Sequence, residues 1–70
     1  MRIDHIKLTT QVAIATTRDP TLRIRDLGDA AGWTERRFYQ LMEGKSTNIN
    51  PRIGEAIAKK LKCKVSEIII

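Results

Sequence analysis

Apolar residues recur at helical spacing in four stretches of this chain, and polar or helix-breaking residues separate the stretches. In the first, about Ile3 to Arg18, residues Ile3, Leu8, Val12 and Ala15 return at near-helical intervals, as on a helix with one buried face. Thr9, Thr10, Thr16 and Thr17 are poor helix formers, so a short strand over Arg2 to Thr9 is the competing reading. Asp19-Pro20 ends the segment, because the residue before a proline resists helical backbone. The second stretch, about Arg23 to Ala31, sets Ile24, Leu27, Ala30 and Ala31 on one face, with Gly32 as its stop. The third runs from Thr34 to Glu43. Thr34 is its expected N-cap, Glu35 suits the first-turn dipole, Phe38, Leu41 and Met42 point inward, and Gly44 follows as C′. The loop Lys45 to Asn50 reads as polar. The fourth stretch opens at Asn50-Pro51, an N-cap with proline at the first helical position. Ile53, Ile57, Leu61 and Val65 form its stripe beside the small residues Gly54 and Ala58. A last short helix is expected from an N-cap at Ser66, carrying Glu67, Ile68, Ile69 and Ile70. The pattern predicts an all-α fold: one domain over residues 1–70, a small bundle of four to five short helices with a helix-turn-helix at its centre.

Size and composition narrow the chemistry. A chain of 70 residues supports one small domain and no second. No apolar run approaches the roughly 20 residues that span a bilayer, and Met1 to Leu8 holds Arg2, Asp4, His5 and Lys7 rather than an apolar core of a signal peptide. No membrane partner is expected. Cys63 and His5 are the only cysteine and histidine. They allow no internal disulfide and no four-ligand zinc site, so no metal or cofactor is expected. A Cys–His dyad would require the N-terminus to fold over the last helix. Cys63 reads as a small buried apolar residue and His5 as a solvated one. Without a Gly-rich phosphate loop either, an enzyme has almost no support.

Charge changes the picture in one direction. Thirteen Lys and Arg face eight Asp and Glu, for a net charge of +5 and a pI near 9.9. So small and basic a domain is drawn to polyanions. The stretch Leu27 to Lys45 then gives the charge a shape. Two short helices flank a turn at Ala31-Gly32-Trp33 that is too tight for antiparallel packing, so they must cross steeply. Gly28 allows their backbones to approach. With Phe38 inward on a wheel of about 100° per residue, Arg36, Gln40 and Glu43 face outward, Arg37 and Tyr39 lie on the flanks, and Glu35 is exposed at the start. Arginine pairs bidentately with guanine, and glutamine with adenine, in the major groove. An ordinary solvated helix face is the plainer reading; the Gly turn, the outward Arg-Arg-x-x-Gln pattern and the net basicity together favour DNA.

The residues Leu27-Gly28-(x)2-Ala31-Gly32-Trp33-Thr34-(x)3-Phe38-(x)2-Leu41-(x)2-Gly44-Lys45 resemble the helix-turn-helix domain of the phage repressor, Cro and XRE type, a lambda repressor-like fold. The run Ile57 to Ile68 is similar to the fourth and fifth helices of that family, so the resemblance covers about residues 22 to 70. It implies a sequence-specific regulator of transcription, of small Cro or repressor type, that places helix 34–43 in the major groove of double-stranded DNA. Base reading would fall on Glu35, Arg36, Arg37 and Gln40, with Tyr39 on base or phosphate. Phosphate contacts would fall on Arg23, Arg25 and Thr34, and on Lys45, Ser46, Thr47 and Asn48 in the following loop. Four positions depart from the family: Ile24 stands where Gln is common, Gly28 where Ala is common, Met42 where a buried Glu is common, and Lys62 where Gly is common.

The resemblance also sets expectations about partners. A domain this small reads few base pairs, so a palindromic operator and a homodimer, at least on DNA, are expected. Ile68, Ile69 and Ile70 are the candidate interface, since one helix cannot bury three consecutive residues on one face; a terminus folded back on its own core is the alternative. The chain leaves no room for a sensor of small molecules, so no small-molecule ligand is expected, and the expected compartment is the cytoplasm of a bacterium or phage-infected host. A different class of function, an antitoxin or other protein-interaction module, would use the apolar C-terminus or the first helix. Trp33 reads as a core plug over the turn. Lys59, Lys60, Lys62 and Lys64 read as a solvated run, and Asp26 and Asp29 as surface charges.

Overall fold

A computed structural model describes residues 1–70. It contains four α-helices, α1 (His5–Arg18), α2 (Ile24–Ala31), α3 (Glu35–Met42) and α4 (Pro51–Leu61), followed by a 3-10 turn at Val65–Glu67. The chain is all-α, as the periodicity predicts. The Asp4 carboxylate fixes where α1 begins, accepting from the backbone N–H of Ile6 at 3.0 Å and of Lys7 at 3.2 Å. The threonines of α1 are tolerated because their hydroxyls find partners within the helix. Thr9 donates to the carbonyl of His5 at 2.7 Å, Thr10 to that of Ile6 at 2.9 Å, Thr16 to that of Val12 at 2.9 Å and Thr17 to that of Ala13 at 2.8 Å.

The rival strand over Arg2 to Thr9 does not form: a helix occupies it from His5 onward, and Arg2 and Ile3 make only isolated bridges. Arg2 bridges antiparallel to Asn48, and Ile3 to Ile69. The N-terminus thus lies between the loop after α3 and the C-terminal tail. Ile3 N–H donates to Thr47 at 2.8 Å and Ile49 N–H to Met1 at 2.8 Å; on the other side Asp4 N–H donates to Ile68 at 2.9 Å and Ile70 N–H to Arg2 at 3.2 Å. Two expectations change as a result. The loop Lys45 to Asn50 is not wholly polar, for Ile49 is buried beneath it. The C-terminal helix capped by Ser66 does not form: the turn starts one residue earlier at Val65, where the Glu67 carboxylate accepts from Lys64 N–H at 2.8 Å. Ile69 bridges Ile3 instead, and Ile68 is wholly buried.

One core joins these elements. Phe38, Leu8, Leu27, Leu41, Ile57, Ile3 and Ile68 are all buried within it, with Val12, Ala15 and Leu61. Trp33 packs on its edge, as do Ile24, Met42 and Cys63. The union of α2 and α3 depends on two glycines. Gly32 takes a φ of +74° that ends α2, and the turn is closed by Gly32 N–H to Asp29 at 3.0 Å and Trp33 N–H to Gly28 at 2.8 Å. Gly28 faces the backbone of the turn itself: a Cβ there would stand 3.1 Å from the Thr34 carbonyl oxygen and 3.3 Å from that of Trp33.

Two outcomes follow for stability. Gly28→Ala gains about 1 kcal/mol of helix propensity but overpacks against backbone that cannot rotate aside, at a cost of about 1–3 kcal/mol. A net loss in urea denaturation is expected, where an exposed helical glycine would show a gain. Ile3→Ala removes a side chain that is 1% exposed and is expected to cost about 2–5 kcal/mol, with Ile3→Val costing about 0.5–1.5 kcal/mol. A mere surface arm would show no change in either variant.

Candidate nucleic-acid interface

The outward face of α3 is set by the burial of its inward one. Phe38 and Leu41 fill the core, which turns Glu35, Arg36, Arg37 and Tyr39 to solvent and leaves Gln40 partly covered. Thr34 caps the helix, its hydroxyl oxygen accepting from Arg37 N–H at 3.2 Å. That hydroxyl keeps its own proton to donate. At the other end Gly44 takes a φ of +89°, Gly44 N–H donates to Leu41 at 3.1 Å, and Lys45 N–H donates to Gln40 at 2.9 Å. This closure is a Schellman turn, and it brings Lys45 back beside the outward face.

Three of the four expected base-reading residues, Glu35, Arg36 and Gln40, converge, and Arg37 does not. Glu35, Arg36, Tyr39, Gln40, Glu43 and Lys45 line one open depression of about 360 Å³. A second depression, about 470 Å³, lies between α2 and α3, where Arg23 and Arg25 meet Glu35 and Tyr39. Glu35 and Tyr39 border both, so the cations at the start of α2 and the face of α3 form one continuous surface. Tyr39 is 46% exposed. Arg37 stands apart from this face: its guanidinium lies over the Trp33 ring, 4.6 Å from the centroid. Trp33 therefore covers the turn and also anchors a cation.

The loop after α3 holds Lys45, Ser46 and Asn48 exposed and Thr47 half-buried. Ser46 has a φ of +52°, a left-handed backbone that is uncommon for a residue with a side chain. Thr47 spends its carbonyl on Ile3 N–H. Across from Asn48 stands Arg2, an exposed cation that the sequence reading leaves without a role. Nothing local in the sequence marks it, because its partner lies far along the chain.

Electrostatically, these cations are almost unpaired. The one ion pair of the chain is Lys45 to Glu43 at 4.0 Å, between two exposed side chains, and such pairs contribute little. Two groups with shifted pKa lie away from the α3 face. Hydrogen bonds from Thr21 lower the Asp19 carboxyl, and burial, then Glu67, raises the Cys63 thiol. Of the expected dimer residues, Ile68 is removed by burial, Ile69 is half-buried and Ile70 is 76% exposed. No helix is long and apolar enough to cross a membrane. Comparison with protein-family models, curated proteins and solved structures finds no match.

Proposed function

We propose that this chain is a sequence-specific double-stranded DNA-binding regulator of transcription, of the small repressor or Cro kind, working in the bacterial cytoplasm. The observation that carries the reading is the outward face of α3, where Arg36 and Gln40 share one depression with Lys45 while Arg23 and Arg25 adjoin it through Tyr39. The major groove is about 12 Å wide and admits one helix. A helix entering it meets base edges along its outward face and phosphates on either side. Arg36 and Gln40 are suited to the first, and Glu35 to accepting from a cytosine amino group. Arg23, Arg25, Thr34 and the loop from Lys45 to Asn48 are suited to the second. Arg37, held over Trp33, is assigned to the backbone. In this reading two copies bind a palindromic operator, and with Ile68 in the core their contact falls to Ile69 and Ile70.

The test is DNA binding with a selected duplex beside random competitor. Arg36→Ala or Gln40→Ala is expected to cost about 1–3 kcal/mol at the selected site and much less on competitor. If both variants keep site affinity within twofold, α3 does not read bases. Replacing Lys45, Arg23 or Arg25 by Ala is expected to weaken all duplexes alike and to lower the slope of log affinity against log salt by about one. A loss confined to one base position would make that residue a reader instead.

A further inference from the structure

A further depression lies away from α3. It is a groove of about 660 Å³ between the end of α1, the segment leading into α2, and the last turns of α4. Ala15, Leu22, Ala30, Ala56 and Leu61 make its apolar lining. Three of these are alanines, so the groove is open where larger residues would fill it. Around them stand Arg18, Lys59, Lys60 and Lys62, four cations against the single carboxylate of Asp19. None of the four is in an ion pair. Asp19 is occupied locally, accepting from the Thr21 hydroxyl at 2.6 Å and from its N–H at 3.1 Å. Volumes of about 300–1,000 Å³, apolar walls and a few placed charges are the ordinary make-up of a small-ligand site.

Lys62 adds an independent sign. It ends α4 with φ +58° and ψ +42°, a conformation that glycine takes freely and a residue with a Cβ takes at a cost. The chain carries a cation at that cost, and Lys62 is among the residues that line the groove. We propose that this groove binds a small amphiphilic anion, one carboxylate on an apolar chain, with the chain over Ala15, Ala30 and Ala56 and the carboxylate among Lys59, Lys60 and Lys62. The sequence reading expects no small-molecule ligand. This site lies outside the DNA-binding reading and does not depend on it.

The experiment follows amide and methyl NMR shifts of the full chain as octanoate, acetate or octylamine is added. Octanoate is expected to move Ala15, Leu22, Ala30, Ala56 and Leu61 saturably, while acetate and octylamine at equal concentration leave them unmoved. Ala56→Leu fills the groove with a good helix former and is expected to weaken octanoate by more than about tenfold, since the bound chain loses its place. Lys62→Gly is expected to raise the melting temperature by relieving the left-handed residue, yet to weaken octanoate about two- to fivefold, the range of one exposed charge. Equal shifts with acetate would reduce the site to a patch of charge. Equal shifts with octylamine would leave only apolar contact. Octanoate shifts centred instead on Ile6 and Ile14 of α1, or unaltered by Ala56→Leu, would overturn the assignment.

Discussion

The antiparallel pairing of residues 1–4 with two distant segments is the contact on which the rest of this small structure depends. Four backbone hydrogen bonds of 2.8–3.2 Å tie Met1 to Asp4 between residues 47–49 on one side and 68–70 on the other. Extended backbone alternates its side chains, so Ile3 enters the core while Arg2 faces solvent. Ile3, Ile49 and Ile68 are all buried members of the one core. A domain of this size buries only about 60% of its unfolded surface. Three buried isoleucines from outside the helices are a large part of such a core. The same pairing orders the loop that follows α3, because Thr47 and Ile49 are held from below. Positions on the outer surface of that loop are therefore set by an N-terminal segment distant in sequence.

The placement of α3 is a second consequence of backbone geometry. Schellman turns bound it on both sides, one ending α2 at Gly32 and one ending α3 at Gly44. Each fixes the direction of the chain by main-chain hydrogen bonds, and each delivers a specific side chain. The first presents Trp33, on which Arg37 rests; the second returns Lys45 towards Gln40. Gly28 sets the distance, since its missing Cβ lets the carbonyls of Trp33 and Thr34 come against α2. An α3 face held by backbone is preorganised, and a preorganised surface loses less side-chain and loop freedom on binding.

The parts legible in the sequence are those governed by local physics. Helix periodicity, the caps at Thr34 and Asn50, and the glycine stops depend on neighbours within a turn, and they are found at Thr34 N-capping Arg37, at Asn50 accepting from Arg52 N–H at 2.8 Å, and at Gly32 and Gly44. The inward set of α3 follows in the same way from Phe38 and Leu41. The clustering of Glu35, Arg36 and Gln40 on one face is a further local consequence. The parts not legible are the long-range ones. Ile49 sits among polar residues with no periodicity to mark it, and only the Met1 carbonyl, distant in sequence, explains its position. Three consecutive isoleucines signal that something must cover them, but not what; Ile68 goes to the core and Ile70 to the surface. Arg2 joins the loop edge by the same unreadable pairing. The basic groove is assembled from α1, α2 and α4 together, so no single stretch displays it.

Net charge is a poor guide to what such a protein attracts, and the reason is one of scale. The molecule measures 28 × 23 × 20 Å, while the screening length is about 8–10 Å at physiological salt. A polyanion at one face therefore senses the cations of that face and little of those on the opposite side. The excess of +5 acts through its arrangement, not its sum. Here the cations are left free, for only one ion pair forms and it joins exposed groups. They gather in two settings of different character. Beside α3, Arg23, Arg25, Arg36 and Lys45 border polar depressions, where a partner would keep its hydration and meet charge and hydrogen bonds. Beside α4, Lys59, Lys60 and Lys62 surround apolar lining, where a partner must also bring something to bury. The same residue types thus present different chemistry, decided by whether the side chains between them are glutamine and tyrosine or alanine and leucine. That distinction belongs to packing, and it is the step at which composition stops being informative and structure begins to be.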